Sequence, residues 1–286
     1  MKKVVLCPNA SRDVRFATSR EVGRILEDIG ILSVLCPLPD CDDGRGSGGG
    51  GYAELAARLA DAEMIIAFGG DGTILRTARA AAGYGVPVLG VNLGGKGFMA
   101  ELERDGVGAI PGALTGGYDV ESRMMLDVEL RRGDAVICED FALNDVVIGG
   151  MTKIVDITLC GDGNVISELS GDGVVIATPT GSTAYSLSAG GPIVEPSARN
   201  ILITPVCAHM LKARPFVLAS ERLVSVRLGS ARQNPAYMSV DGCDYVELIA
   251  DDLINVRESP KKTLFARLSG GSFYRKVSEK LGEPMK

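Results

Sequence analysis

The sequence predicts an α/β amino-terminal domain with a parallel sheet, followed by a β-rich carboxyl-terminal domain. Up to about residue 119, short apolar runs alternate with helical spacings, the pattern of parallel strands covered on both faces. Beyond it, short β-rich segments follow one another, separated by Gly, Asp or Asn, the pattern of antiparallel β structure. The length of 286 residues fits two domains of about 100–200 residues each. At 46% hydrophobic and 23% charged residues, such a chain buries a core without staples.

The elements follow in order. Residues 3–7 form an apolar run ending at Pro8-Asn9, which reads as a buried strand and a loop. Val14, Ala17, Val22, Ile25, Leu26 and Ile29 stand at helical spacing, with Gly30 as C-cap. Residues 31–35 make a second strand. The tract from Asp40 to Gly51 is too rich in Gly, Ser and Asp to pack and reads as a mobile surface loop. A helix is expected over 52–61, a strand over 64–68, a helix over 73–82 and a strand over 87–91. Strands are then expected over 124–130, 135–143, 145–149, 153–160, 164–169, 173–178, 223–228, 237–240 and 245–250. The organisation expected is 1–119, 120–260 and a segment 261–286 that ends in a helix and returns to the first domain. No internal repeat is visible.

Composition excludes several functions. His209 is the only histidine, which removes HExxH zinc sites and multi-histidine metal centres. A Ser-His-Asp triad could use that residue alone. A net charge of −6 supplies no global positive field for nucleic acid or an anionic membrane surface. Backbone amides at a loop or helix start can still hold an anion. Seven scattered cysteines with no CxxC read as reduced thiols in a cytoplasmic protein. The apolar stretch after Met-Lys-Lys is too short for a signal peptide, and no run approaches the ~20 residues of a membrane span.

The sharpest motif is Gly69-Gly70-Asp71-Gly72-Thr73, between a strand and a helix. A strand–glycine turn–helix junction presents helix N-terminal amides at the carboxyl end of a parallel strand, where doubly wound sheets bind ligands. Asp71 sets a carboxylate among those amides. It could accept a hydroxyl proton or ligate a metal. GxGxxG does not fit the spacing. Gly90 to Gly97 comes within one residue of a Walker A loop, but Gly97 stands where the Mg²⁺-binding Ser/Thr belongs. The second motif runs from Gly171 to Pro192. Thr178, Thr180, Ser182, Thr183, Ser186 and Ser188 supply hydroxyls for a polyhydroxylated ligand, and Tyr185 can stack on a base. Asn144-Asp145 before Val146-Val147-Ile148 reads as a turn. His209 reads as a hydrogen-bonded structural residue.

With these residues in view the chain resembles the NAD kinase family over most of its length. The resemblance rests on Gly69–Thr73, Asn92-Leu93-Gly94 with Gly97-Phe98, Asn144-Asp145, the run Gly171–Pro192, Pro205 to Pro215 around Cys207 and His209, and Ser239-Val240-Asp241-Gly242. The glycine motif is shared with diacylglycerol kinases, sphingosine kinases and phosphofructokinases. Thr178-Pro-Thr-Gly-Ser-Thr-Ala-Tyr-Ser186 is far more specific.

The resemblance implies transfer of the ATP γ-phosphoryl to the 2′-hydroxyl of the NAD adenosine ribose, giving NADP and ADP. It implies an α/β domain and a β-rich domain with NAD in the cleft between them. It assigns Asp71 to activation of the 2′-hydroxyl. It assigns nucleotide contacts to Gly70, Gly72, Asn144, Asp145, Asp172, Thr183, Ala184, Tyr185, Ser186, Leu187 and Ser188. It also implies a divalent cation such as Mg²⁺, a cytoplasmic location and a homo-oligomer, dimer or tetramer. Four departures bear on regulation and substrate preference more than on the reaction. Lys96 replaces an apolar residue, Asp145 stands where Glu is common, Met210, Lys212 and Ala213 replace Thr/Ser, Ser and Asn, and Cys243 replaces a longer polar residue.

Two other readings are weaker. A lipid kinase sharing the glycine motif requires an apolar pocket or basic membrane face, against the acidic balance. A non-catalytic NAD(P) sensor is disfavoured by the intact Asp71.

Overall fold

A computed structural model describes residues 2–38, 49–95, 97–207, 213–229, 235–243, 245–268 and 273–282. Two compact units divide the chain, Met1–Ser122 with Thr263–Lys286, and Arg123–Lys262.

The first unit contains β1 (Lys3–Pro8), α1 (Ala17–Asp28), β2 (Leu32–Leu35), α2 (Gly49–Leu59), β3 (Met64–Gly69), α3 (Asp71–Ala81), β4 (Val88–Asn92), β5 (Leu102–Glu103) and α4 (Ile110–Gly116). Parallel pairing runs β4-β3-β1-β2. Every residue of β3 and β4 is buried, which is why both read as continuous apolar runs. Val22 and Leu26 of α1, with Ile110 and Leu114 of α4, join Val4, Leu6, Ile66, Phe68, Leu89 and Val91 in one core. The strand order reverses between β1 and β3. The chain leaves β1 toward β2 on one side and β3 toward β4 on the other, so the loops after them flank a switch point.

The helix expected from Val14 starts later. Val14–Phe16 is a 3₁₀ turn, and Arg15 and Phe16 take positive φ. This detour lets buried Asp13 reach back, and its carboxylate accepts the N–H groups of Thr18 and Ser19 at 2.9 Å each. Gly49-Gly50-Gly51, assigned to a loop, lie inside α2. The rest of that tract, 40–48, lies outside the described residues, as do Lys96, His209, Met210 and Lys212.

The chain enters the second unit within β6 (Asp119–Arg132) and leaves it within β17 (Leu253–Arg267). Between them lie β7 (Ala135–Ala142), β8 (Asp145–Gly150), β9 (Val155–Gly161), β10 (Asn164–Gly171), β11 (Gly173–Ala177), α5 (Tyr185–Ser188), β12 (Asn200–Val206), β13 (Phe216–Ala219), β14 (Val224–Leu228), β15 (Ala236–Val240) and β16 (Tyr245–Leu248). One sheet runs β13-β12-β11-β8-β15-β16, all antiparallel. Val146 and Ile148 of β8 and Val174 and Ile176 of β11 face a core shared with β6, β9 and β14. Val147, Val175 and Ala177 face the other side with Tyr237. Strands β12, β13 and β17 were not expected. Pro205 lies within β12, and Pro260 with its charged neighbours lies within β17, residues that argue locally against a strand. After β17 the chain forms α6 (Phe273–Leu281), the helix expected there.

Phe68 is among the largest fully buried side chains, at the end of the central strand. Phe68→Ala is expected to destabilise the protein by about 3–5 kcal/mol, measured by denaturant unfolding.

Candidate active site

Gly70, Asp71 and Gly72 sit together at the carboxyl end of β3 and the start of α3. The turn is tied across the switch point: Asn9 N–H donates to the Phe68 carbonyl at 2.9 Å. The Asn9 side chain accepts from Ser11 N–H at 2.9 Å and Arg12 N–H at 3.1 Å, shaping the loop after β1. Asp71 is half-buried in the first turn of α3. Phe98 N–H donates to its Oδ2 at 2.6 Å and Met99 N–H to its Oδ1 at 3.2 Å. A carboxylate beside α3's N-terminus is favoured by the helix dipole. Two amides then fix its orientation. A Cβ on Gly97 would fall inside contact distance of the Asp71 carboxylate, so only glycine lets that loop close on it.

The amide-bearing loop is itself held. Glu101 N–H donates to the Gly90 carbonyl at 2.9 Å. Lys276 of α6 donates to the Ala100 carbonyl at 2.7 Å. Arg267 pairs with Glu101 at 3.1 Å and with Glu121 at 2.7 Å. Asn92 accepts from Gly94 N–H at 3.0 Å and donates to Glu103 at 2.8 Å, bracing the neighbouring glycine turn.

In the second unit, Asn144 and Asp145 lie where β8 begins. Thr178 N–H donates to the Asn144 carbonyl at 2.9 Å, and the Thr178 hydroxyl to the Leu143 carbonyl at 2.5 Å. Gly181 packs so closely on Asn144 that a Cβ there would meet its carbonyl oxygen. Asp145 is only 5% exposed. Burial, with the nearby Asp241 charge added, pushes its carboxyl up to about 7.

The hydroxyl-rich loop differs from expectation. Thr178, Thr180, Ser182 and Ser186 are buried. Their hydroxyls meet Leu143, Arg123, Val194 and Thr204 respectively. They build the loop. The chain bends sharply after Pro179, and its own polar groups need those partners. Tyr185 and Ser188 are exposed, and Thr183, Ala184 and Leu187 half-buried.

Asp172 and Tyr185 line one cavity of about 450 Å³, together with the β8 end and the 151–154 loop, Val206 and Tyr237. Its charged lining residues are Asp172 and Lys153. Burial raises the Tyr185 phenol above its ordinary range, with Tyr237, Cys207, Asp172 and Asp145 adding to it. The Cys207 thiol, hydrogen-bonded to Asp172, is likewise raised. Asn144, Asp145, Thr183, Ala184 and Ser188 do not line this cavity. Lys153 and Tyr237 do, and no motif in the sequence marks them.

Among the described residues no cluster of three or more His, Cys, Asp or Glu side chains could hold a metal, and no helix is long and apolar enough to cross a membrane.

Comparison with known proteins adds to this geometry. The family model described as ATP-NAD kinase N-terminal domain matches residues 53–115, and that of the ATP-NAD kinase C-terminal domain matches 143–268. An NAD kinase of Ruminiclostridium cellulolyticum is 35% identical, over 99% of each chain. One from Heliobacterium modesticaldum is 40% identical over 80% of this chain and 81% of its own. A crystal structure of yeast NADH kinase complexed with NADH superposes with a TM-score of 0.82 at 23% identity, over 100% of this chain and 89% of that one. An Archaeoglobus fulgidus NAD kinase in complex with ATP gives 0.73 at 22%, over 98% of each. The fold is therefore shared with both, and on the matches spanning its length the chain belongs to the NAD kinase family of phosphotransferases.

Proposed function

We propose that the protein transfers the γ-phosphoryl of ATP to the 2′-hydroxyl of the adenosine ribose of NAD, and that Asp71 accepts the hydroxyl proton. ATP-dependent phosphorylation of NAD in general follows from family membership. The observation that supports the finer assignment is the fixed carboxylate of Asp71. Each of its oxygens takes one amide hydrogen bond and keeps lone-pair capacity for a hydroxyl. A ribose hydroxyl has a high pKa and needs a positioned acceptor near neutral pH.

In this step a bond forms between O2′ and the γ-phosphorus. The bond between that phosphorus and the β,γ-bridging oxygen breaks, ADP leaves with the electron pair, and the proton passes to Asp71. The divalent cation, Mg²⁺ in this reading, arrives as part of the ATP substrate, since Mg²⁺ binds largely through phosphates and water. Asn144 and Asp145 hydrogen-bond the adenosine. Tyr185 stacks on a base, with Asp172 beside it in the same cavity. Gly70 and Gly72 leave room for backbone to approach phosphate. The contacts assigned to Thr183, Ala184, Ser186, Leu187 and Ser188 are then made largely by loop backbone, the Ser186 hydroxyl being engaged with Thr204. A homo-oligomer of two or four copies in the cytoplasm completes the proposal.

A coupled assay with ATP, Mg²⁺ and NAD, read by an NADP-specific dehydrogenase, is expected to record NADP formation. No NADP from folded protein that binds NAD would refute the proposal. Asp71→Asn is expected to abolish turnover while leaving NAD affinity within about tenfold. Loss of affinity with residual turnover would instead make Asp71 a binding residue.

Gly97→Ala pushes against the same carboxylate without removing it. It is expected to lower kcat by about tenfold or more, with a smaller change in the NAD KM. Steady-state kinetics on the folded variant check this, and an unchanged kcat would show that Asp71's orientation is not limiting.

Asp145 makes NAD binding pH-dependent. Its carboxyl, pushed up to about 7, is protonated below that pH and accepts from substrate hydroxyls above it. Among the described residues the charge facing it is that of Asp241, and the Tyr185 phenol also senses it. The NAD KM is therefore expected to fall several-fold between about pH 6 and 8, and to stay level in Asp145→Asn. A pH series of initial rates measures both.

A further inference from the structure

Asp241 lies in the Ser239–Gly242 motif, which has no assigned task in the reaction. It directly follows β15 with φ +52°, a left-handed conformation uncommon outside glycine. Its Oδ2 accepts from Leu143 N–H at 2.8 Å. Its Oδ1 accepts from Asn144 N–H at 2.7 Å and from Asp145 N–H at 2.9 Å. Its own N–H donates back to the Asp145 carbonyl at 2.9 Å. Three successive amides thus converge on one carboxylate, at the point where the β8–β15 ladder runs out beyond Val146 and Val240. Without it these donors face a buried environment unpaired.

The opposite side of the turn is pinned by Thr178, which donates to the Leu143 and Asn144 carbonyls. The backbone of Leu143–Asp145 is therefore held from both sides. The Asn144 side chain remains half-buried at this turn, and that of Asp145 is buried. A rotation of this backbone would carry both of them off line.

We propose that Asp241 is a positioning residue for nucleotide recognition, its carboxylate setting the Leu143–Asp145 turn and so the placement of Asn144 and Asp145. The inference rests on the reading above, in which those two residues contact NAD. Asp241 is also the charge that faces Asp145. On the β11 side Asp145 pairs with uncharged Ala177, and among the described residues the Tyr185 phenol also senses its charge.

The test uses Asp241→Asn and Asp241→Gly, both compatible with left-handed backbone. The first presents one acceptor oxygen to three amides. The second presents none. Both are compared with Asn144→Ala and Asp145→Asn in kinetics against NAD and ATP, with thermal melts for folding. The expected result is an NAD KM raised about tenfold or more in Asp241→Asn, with kcat and the ATP KM within about threefold. The pH midpoint of the NAD KM should also move below the wild-type value, because the facing anion is gone. A role in stability alone predicts neither the split nor the moved midpoint. Folded Asp241 variants with wild-type NAD KM, while Asn144→Ala raises it, would overturn the inference. Wild-type NAD KM in all four variants would instead remove Asn144 and Asp145 from the substrate contacts, and the inference falls with that reading. Loss of cooperative melting in both Asp241 variants, or kcat and both KM values changing together, marks a purely structural residue and also overturns it.

Discussion

Backbone amides left over where strands and helices end must find an acceptor, and aspartate carboxylates fill that place at the points where this fold is most irregular. Asp13 takes the first-turn amides of α1, Asp71 those of Phe98 and Met99, and Asp241 those of Leu143 to Asp145. A buried N–H without a partner costs on the order of 1–3 kcal/mol, so each of these loops is specified by one side chain, close in sequence for Asp13 and distant for Asp71 and Asp241. The last two span 27 or 28 residues and 96 to 98, so they tie local turns to tertiary structure. The dependence also runs the other way. A carboxylate holding two or three amides is fixed in place, and so is any chemistry it carries.

Glycine is the complement of this arrangement. Gly97 lets a loop close onto Asp71, and Gly181 lets one close onto Asn144. In both cases the atoms of a Cβ would occupy the space used by an oxygen. The glycines around the candidate site thus act through absence of bulk, and the carboxylates supply direction.

This explains what could be read in the sequence. The strands β1, β3 and β4 were legible because burial on both faces leaves them almost entirely apolar, apart from Lys3 and Asn92 at their ends. Gly69–Thr73 was legible because a strand, a glycine turn and a helix start are contiguous in the chain. Strand β17 was not, since Pro260 and the charges of Arg257, Glu258, Lys261 and Lys262 fall in its middle, where local preference argues against a strand that pairing with β6 and β14 nevertheless forms. The hydroxyls after Thr178 were visible as residue types. Their directions were not, because Ser186 is engaged by Thr204 and Thr180 by Arg123, partners 18 and 57 residues away. Lys153 and Tyr237 reach their cavity only through the pairing of β8 with β11 and β15.

The same geometry bears on how a chain of net charge −6 can serve an anionic substrate. A global field would repel it, so attraction must be local and the nearest negative charges controlled. Asp71 has both oxygens on amides at a helix N-terminus, where negative charge is favoured. Asp241 is spent on three amides. Asp145, buried beside Asp241, holds its proton up to about 7, because two carboxylates in a dry site resist ionising together. In the proposed function, once that proton is lost above about pH 7, the carboxylate offers a ligand hydroxyl a charged acceptor, which is stronger than a neutral one. While it keeps that proton, Asp145 adds no negative charge for an approaching anion to meet.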